Sequence, residues 1–261
     1  MLVEAILLPK IAIDTTIVEN KSITDDVKEL IVYAPKIAQQ AVPGQFVHIK
    51  IATGEPLLRR PLSISNVNVE AGTLSLIYRI VGKGTAYLAN LRTNDEVNCL
   101  GPLGNGFDLT CERPLLVGGG MGTAPLIFLA QRLNPRTTTV LMGGRNKAEM
   151  FWQPMYEGLA KEIHITTDDG SMGTKGFTVS ALPELVKANQ FDRIFVCGPH
   201  VMMEAVAKFA KEHEIPCQVS LEKYMACGIG ACLSCTCVNK LGDKRKKVCT
   251  DGPVFWAEEV L

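Results

Sequence analysis

The sequence predicts a multi-domain protein: an antiparallel β-barrel, then an α/β unit built on a parallel sheet, then a small C-terminal module rich in cysteine. Three observations carry this reading. Up to about residue 110, short β-branched and aromatic segments recur between turn residues. From about residue 113, strand and helix patterns alternate. Finally, five of the nine cysteines fall between residues 222 and 255. The boundaries that follow are 1–111, 112–216 and 217–261.

The first unit reads as about six strands, over 11–19, 27–33, 45–51, 62–66, 73–80 and 95–100. Pro43-Gly44, Thr53-Gly54 and Ala71-Gly72 supply turns between them, and a brief helix over 85–91 interrupts the series. Strands at this spacing predict a closed antiparallel barrel. The second unit opens with the apolar strand 114–117, the glycine run Gly118-Gly119-Gly120-Met121-Gly122 and a helix to Leu133. Further strands are expected over 137–142, 162–167, 193–196 and 218–221, with a helix over 201–212. Alternation of this kind implies a parallel sheet with right-handed crossovers, the cysteine segment following after it.

Composition narrows the class. A chain of 261 residues with 47% apolar and 21% charged residues and zero net charge has room for two real cores and lacks a long basic face. Nucleic acid and anionic membrane are therefore not expected partners. The basic run at 244–247 reads as a solvated hairpin tip, with a protein-docking patch as the sharper alternative. An odd number of cysteines, five of them in one segment, argues against a disulfide framework and for a reducing, cytoplasmic setting. The N-terminal stretch carries Glu4 early and shows no small-residue cleavage site, so it does not read as a signal peptide. No apolar run reaches membrane-spanning length.

Cys227, Cys232 and Cys235 are spaced C-x4-C-x2-C, with Cys249 downstream, which is the plant-type [2Fe–2S] ligand spacing. Gly228 and Gly230 allow the intervening loop to turn its sulfurs toward one point. Thiolates also suit zinc, which prefers two close C-x2-C pairs, and unligated thiols are the plainest alternative.

The glycine run sits between a buried strand and a helix, where backbone N–H groups can meet a pyrophosphate. Gly118, Gly119, Gly120, Gly122 and Thr123 are the candidates, and Pro125 suits the first helical turn. The fingerprint is imperfect: Thr123 stands at the third glycine position, and no acid follows about 20 residues on, where the chain reads TTVLMGGR. A glycine turn of any α/β sheet is the bland alternative. In the first unit, the string RRPLSIS at 59–65 offers a guanidinium for phosphate and a hydroxyl for a ring nitrogen. Alone it is weak, but Gly82-Lys83-Gly84-Thr85 adds an anion site at a helix start.

Cys197-Gly198-Pro199 ends a strand at the carboxyl edge of the sheet, where such folds bind ligands; a buried structural cysteine is the alternative. Asp168-Asp169-Gly170-Ser171 reads as a plain turn, and Met202 and Met203 as helix core. His48, His164, His200 and His213 form no ligand spacing and are given no catalytic role.

In order, RRPLSIS, the GGGxGxxP turn and CGP resemble the ferredoxin–NADP reductase superfamily. The segments GPLGNGF at 101–107, TDDGSMGTKG at 167–176 and the tail CGIGACLSC…VCTDGPVF extend the resemblance over nearly the whole chain. They are similar to the electron-transfer subunits of NAD-dependent (type B) dihydroorotate dehydrogenases. The resemblance implies FAD on the barrel, held by Arg60, Pro61, Leu62, Ser63, Ile77, Tyr78, Arg79, Gly84 and Thr85. It implies NAD on the sheet, with Cys197 and Glu222 lining the space by flavin and nicotinamide as the catalytic pair. It implies a [2Fe–2S] cluster on Cys227, Cys232, Cys235 and Cys249, with Cys237 as a bystander. The implied partner is an FMN-containing catalytic subunit, two copies of each forming a heterotetramer that serves pyrimidine (UMP) biosynthesis. Orotate chemistry would then belong to the partner, and this chain would pass electrons to NAD.

Two features bear on that reading. Leu62 stands where the wider superfamily often has an aromatic residue, and Arg145, after the second strand, is placed to meet a 2′-phosphate. The choice of NAD follows the resemblance. A ferredoxin-dependent NADP reductase or sulfide dehydrogenase subunit is the nearest alternative. Those relatives carry aspartate at the first ligand position, where this chain has Cys227. A zinc-stabilised nucleotide-binding regulator is the alternative from a different class.

Overall fold

The structure, a computed structural model, describes residues 10–51 and 57–261. The expected Thr53-Gly54 turn and Glu4 of the N-terminal stretch lie outside these residues.

The first half is one curled antiparallel sheet. Its strands are β1 (Ile11–Ser22), β2 (Val27–Tyr33), β3 (Phe46–Lys50), β4 (Arg60–Ser63), β5 (Asn66–Asn68), β6 (Thr73–Arg79) and β7 (Glu96–Leu103). Two short helices, α1 (Pro35–Ala38) and α2 (Lys83–Asn90), interrupt them. The sheet runs in the order β4-β3-β7-β1-β2-β6-β5. Ile17, Leu30, Val32, Val47, Ile49, Leu74 and Leu76 fill its concave side, every other residue pointing inward along the strands.

The closed barrel and the six strands are both corrected. The expected strand over 62–66 breaks into β4 and β5 at Ile64-Ser65, giving seven strands. The two end strands are consecutive in the chain yet do not pair with each other, so a seam stays open between them. Beyond Ser75, the edge of β6 facing away from β2 has no strand partner among the described residues.

The second sheet runs β11-β10-β9-β8-β12-β13-β16. Its parallel members are β8 (Pro114–Gly119), β9 (Thr139–Gly144), β10 (Glu162–Thr167), β11 (Thr174–Lys175), β12 (Arg193–Cys197) and β13 (Cys217–Ser220). Strand β8 is buried along its whole length, as a central parallel strand covered on both faces must be. Helices α3 (Thr123–Arg132), α4 (Leu182–Ala188) and α5 (His200–Glu212) connect the strands. The sheet is mixed, which corrects the wholly parallel expectation. The tail makes the hairpin β14 (Thr236–Cys237) and β15 (Lys246–Lys247), then returns as β16 (Val254–Trp256), antiparallel to β13, before α6 (Ala257–Val260). Strand β13, which a boundary at 217 assigns to the module, is hydrogen-bonded to β12.

The three parts share their cores. Phe128 of α3 is fully buried among the curled-sheet residues, a placement worth about 1.5–3 kcal/mol for such a side chain. Phe46 and Leu103 of the curled sheet pack in one cluster with Cys235, Cys249 and Phe255 of the tail. Asn105 ties the same parts together: its N–H donates to the Gly252 carbonyl at 2.6 Å, and its amide donates to Asp251 O at 3.0 Å.

Candidate functional site

Arg60 and Ser63 lie on β4, one lip of the seam; Ile77, Tyr78 and Arg79 lie on β6, the other. The main-chain edge over 76–79 offers hydrogen-bonding groups that no strand among the described residues takes. Tyr78 itself points into the curled-sheet core, its hydroxyl 3.3 Å from Asn20 Oδ1, so this residue can serve the seam only through its backbone. Leu62 is buried. Arg60 and Gly84 are brought together: a Cβ on Gly84 would strike the Arg60 guanidinium. Thr85 fixes that turn by accepting from the Val81 amide at 2.9 Å and donating to the Gly82 carbonyl at 3.1 Å. A guanidinium held over an open helix start suits a phosphate group.

On the second sheet, the glycine turn packs against the end of β12. A Cβ on Gly122 would stand 2.5 Å from the Cys197 carbonyl carbon and oxygen, and one on Gly119 would stand 2.5 Å from Met202 Sδ. Gly120 has φ +53°, a conformation only glycine adopts freely. Thr123 Oγ1, at the start of α3, is buried with no partner. An orphaned hydroxyl beside a glycine turn fits a ligand that supplies the missing acceptor.

Cys197 is buried, its Sγ 3.8 Å from the Ser220 carbonyl. Burial pushes its thiol up to about 12, and the Glu222 charge adds to the shift. Cys197 is therefore a neutral thiol, and exposed Glu222 lies within its electrostatic reach. Arg145 is exposed and already engaged: Glu149 accepts from its Nε at 2.7 Å and from its own N–H at 2.9 Å. Glu149 is an acid that sequence reading missed. It follows β9 by a short turn and comes back against Gly144, rather than standing at the strand end where the fingerprint expects it.

The cysteine loop is shaped as expected, with Gly228 at φ +69° and Gly230 at φ +85°. Cys227 Sγ accepts from the Ile229 and Cys232 amides, both at 3.4 Å. Among the described residues no three Cys, His, Asp or Glu side chains gather around a single-ion site. The thiols are neighbours nonetheless: Cys227 and Cys232 are joined through the Cys232 amide, Cys235 and Cys249 share one buried cluster, and Cys249 feels both Cys235 and Cys227. Four neighbouring thiols suit a [2Fe–2S] centre, and the amides that donate to Cys227 Sγ suit its negative charge. The Ser234 hydroxyl, chiefly, draws exposed Cys232 down to about 6, whereas burial, with Cys235 beside it, pushes Cys249 up to about 12. Cys237 is buried in the hairpin, and burial raises its thiol.

Other elements serve the frame. Asp169 accepts from Ser171 N at 2.9 Å, which makes 168–171 a turn. Lys246 is not at a solvated tip: it pairs with Glu259 at 2.5 Å and lies 5.6 Å over the Phe255 ring. His48 is fully buried beneath Gly228. Two open clefts mark the surface, about 470 Å³ beside Lys21, Lys28 and Arg92, and about 270 Å³ between Asp26, Arg79 and Glu149. Arg79, on the β6 lip of the seam, lines the second of these clefts, and Arg60 and the glycine turn line neither. No helix among the described residues is long and apolar enough to cross a membrane.

The curled sheet, the glycine-turn sheet and the four-cysteine loop together define an electron-transfer protein of the ferredoxin reductase type. Residues 14–107 match the family model for an oxidoreductase FAD-binding domain, and 222–261 match that for the iron–sulfur cluster binding domain of dihydroorotate dehydrogenase B. The dihydroorotate dehydrogenase B (NAD(+)) electron transfer subunit of Fusobacterium nucleatum is 40% identical over 95% of this chain and 97% of its own length. That of Desulforamulus reducens is 43% identical over 87% of this chain and 90% of its own. The chain belongs to this family of electron transfer subunits. Its fold is also that of a chain in the NADH-dependent reduced ferredoxin–NADP oxidoreductase, at TM-score 0.84 and 32% identity over 94% of this chain and 89% of that one. That relative represents the nearest alternative, and the higher identity lies with the dihydroorotate dehydrogenase subunits.

Proposed function

We propose that this chain takes electrons from an FMN-containing dihydroorotate dehydrogenase catalytic subunit and delivers them to NAD+, in pyrimidine (UMP) biosynthesis. The observation that carries the reading is the packing of the four-cysteine segment, through Cys235 and Cys249, against Phe46 and Leu103 of the sheet that bears the RPLS string. When bound, FAD supplies the exchange between hydride, which nicotinamide carries, and single electrons, which an iron–sulfur centre carries.

The chain's own residues bind and orient. Arg60 and Ser63 hold FAD from one lip of the seam, with Pro61 and Leu62 shaping that strand. The backbone of Ile77, Tyr78 and Arg79 holds it from the other, and Gly84 and Thr85 meet its phosphates. Gly118, Gly119, Gly120, Gly122 and Thr123 receive the NAD pyrophosphate. Cys197 and Glu222 border the space for the nicotinamide, the neutral thiol filling it without attacking. Cys227, Cys232, Cys235 and Cys249 hold the cluster. The Glu149 clamp on Arg145 supports NAD over its 2′-phosphorylated form.

Units 1–111, 112–216 and 217–261 accordingly serve as flavin domain, nucleotide domain and [2Fe–2S] module. Exposed Tyr224, Ile229 and Leu233 around the cysteines support docking of the partner at this face, in a cytoplasmic heterotetramer of two copies of each chain. Anaerobic purification tests the reading by cofactor content. FAD, iron and acid-labile sulfide in a one-to-two-to-two ratio are expected; a colourless protein holding zinc and no flavin would contradict it.

A further inference from the structure

His48 is fully buried, and neither Nδ1 nor Nε2 has a hydrogen-bond partner. A neutral imidazole carries one N–H donor and one acceptor, and burying both without partners costs free energy unless something else completes them. The ring's surroundings indicate what. A Cβ on Gly228, between Cys227 and Cys232, would come 2.7 Å from His48 Nδ1 and Cε1 and 3.2 Å from Nε2. Phe46, two residues earlier on the same face of β3, packs with Cys235 and Cys249. Across the strand pair, His48 lies opposite Pro61 of the RPLS string. The ring thus stands between the lip assigned to the flavin and the loop assigned to the cluster.

We propose that His48 is a positioning residue for the iron–sulfur cluster, its ring N–H donating a hydrogen bond to a sulfur of the bound centre. This rests on the functional reading above. A donor to sulfur stabilises the more negative, reduced state and so raises the cluster potential. The same bond holds the Cys227–Cys232 loop against β3.

The test uses holoprotein grown with histidine labelled with heavy nitrogen, reduced, and examined by pulsed electron paramagnetic resonance. His164 lies on β10, His200 starts α5 and His213 caps its C-terminal end, so a histidine nitrogen coupled to the cluster signal reports His48. Coupling in the native chain is expected, and its loss in His48→Phe. Redox titration should find the His48→Phe cluster harder to reduce, by about tenfold in the reduced-to-oxidised ratio at fixed potential, or about 59 mV. His48→Gln, which keeps an N–H donor, should recover part of that shift. A normal cluster signal without histidine coupling in the native protein overturns the proposal, even if His48→Phe fails to fold. Absence of any cluster signal overturns the functional reading and this proposal with it.

Discussion

Gly122 touches the main chain of Cys197 so closely that a Cβ there would lie 2.5 Å from the Cys197 carbonyl oxygen. The two turns that end β8 and β12 are therefore one packed unit, and the contact requires glycine at 122. Gly122→Ala should push the turns apart at about 1–3 kcal/mol of overpacking, lowering the melting temperature. NADH affinity should fall at least tenfold by fluorescence titration; unchanged affinity would separate this turn from nicotinamide binding.

Gly84 and Arg60 make a comparable contact on the flavin side. Arg60→Ala removes a charge-assisted hydrogen bond worth about 1.5–3 kcal/mol, so FAD should bind roughly 10–100-fold more weakly. Gly84→Val, which leaves Arg60 present but displaced, should lose flavin on gel filtration as well. Retention of full flavin by both variants would move the flavin site elsewhere.

Cys235 and Cys237 are both buried, but only Cys235 interacts with Cys249. Cys235→Ser should abolish the visible iron–sulfur absorbance and lower the iron content, whereas Cys237→Ser should leave both intact. The reverse pattern would exchange their roles.

Cys197 gives a pH prediction. Its thiol, pushed up to about 12, keeps its proton throughout the physiological range. A folded value above the unfolded one stabilises the fold fully below the unfolded thiol range, and the gain fades as pH rises toward about 12. At pH 8 its thiolate fraction is on the order of a thousandfold below that of an ordinary cysteine. Mass spectrometry after iodoacetamide treatment should find Cys197 unmodified in the folded protein and modified in denaturant. Rapid native labelling would contradict the burial argument.

The sequence made the chemistry legible where it is local. The cysteine spacing, the glycine turn and the RPLS string lie within single loops, and Gly228 and Gly230 adopt the left-handed backbone their loop requires. What escaped is set by tertiary contact. Strand alternation in 62–66 does not reveal that β4 and β5 fail to pair, yet the resulting seam is what exposes the edge of β6. Three residues of β16 are too few to announce a return to the sheet. Tyr78 belongs to a family string but turns inward, because alternation along β6 places Leu74, Leu76 and Tyr78 on the core side. His48 has no ligand spacing in the chain; only the packing of β3 under the Cys227–Cys232 loop gives it significance.

The central claim is that electrons from dihydroorotate reach NAD+ through this chain. The most direct measurement is dihydroorotate-dependent NADH formation by the FMN-containing catalytic subunit, with and without this protein, and with a Cys249→Ser variant. NADH should form only when the native chain is present, and the variant should fall to the rate seen without it. NADH formation of equal rate in all three mixtures would contradict the account.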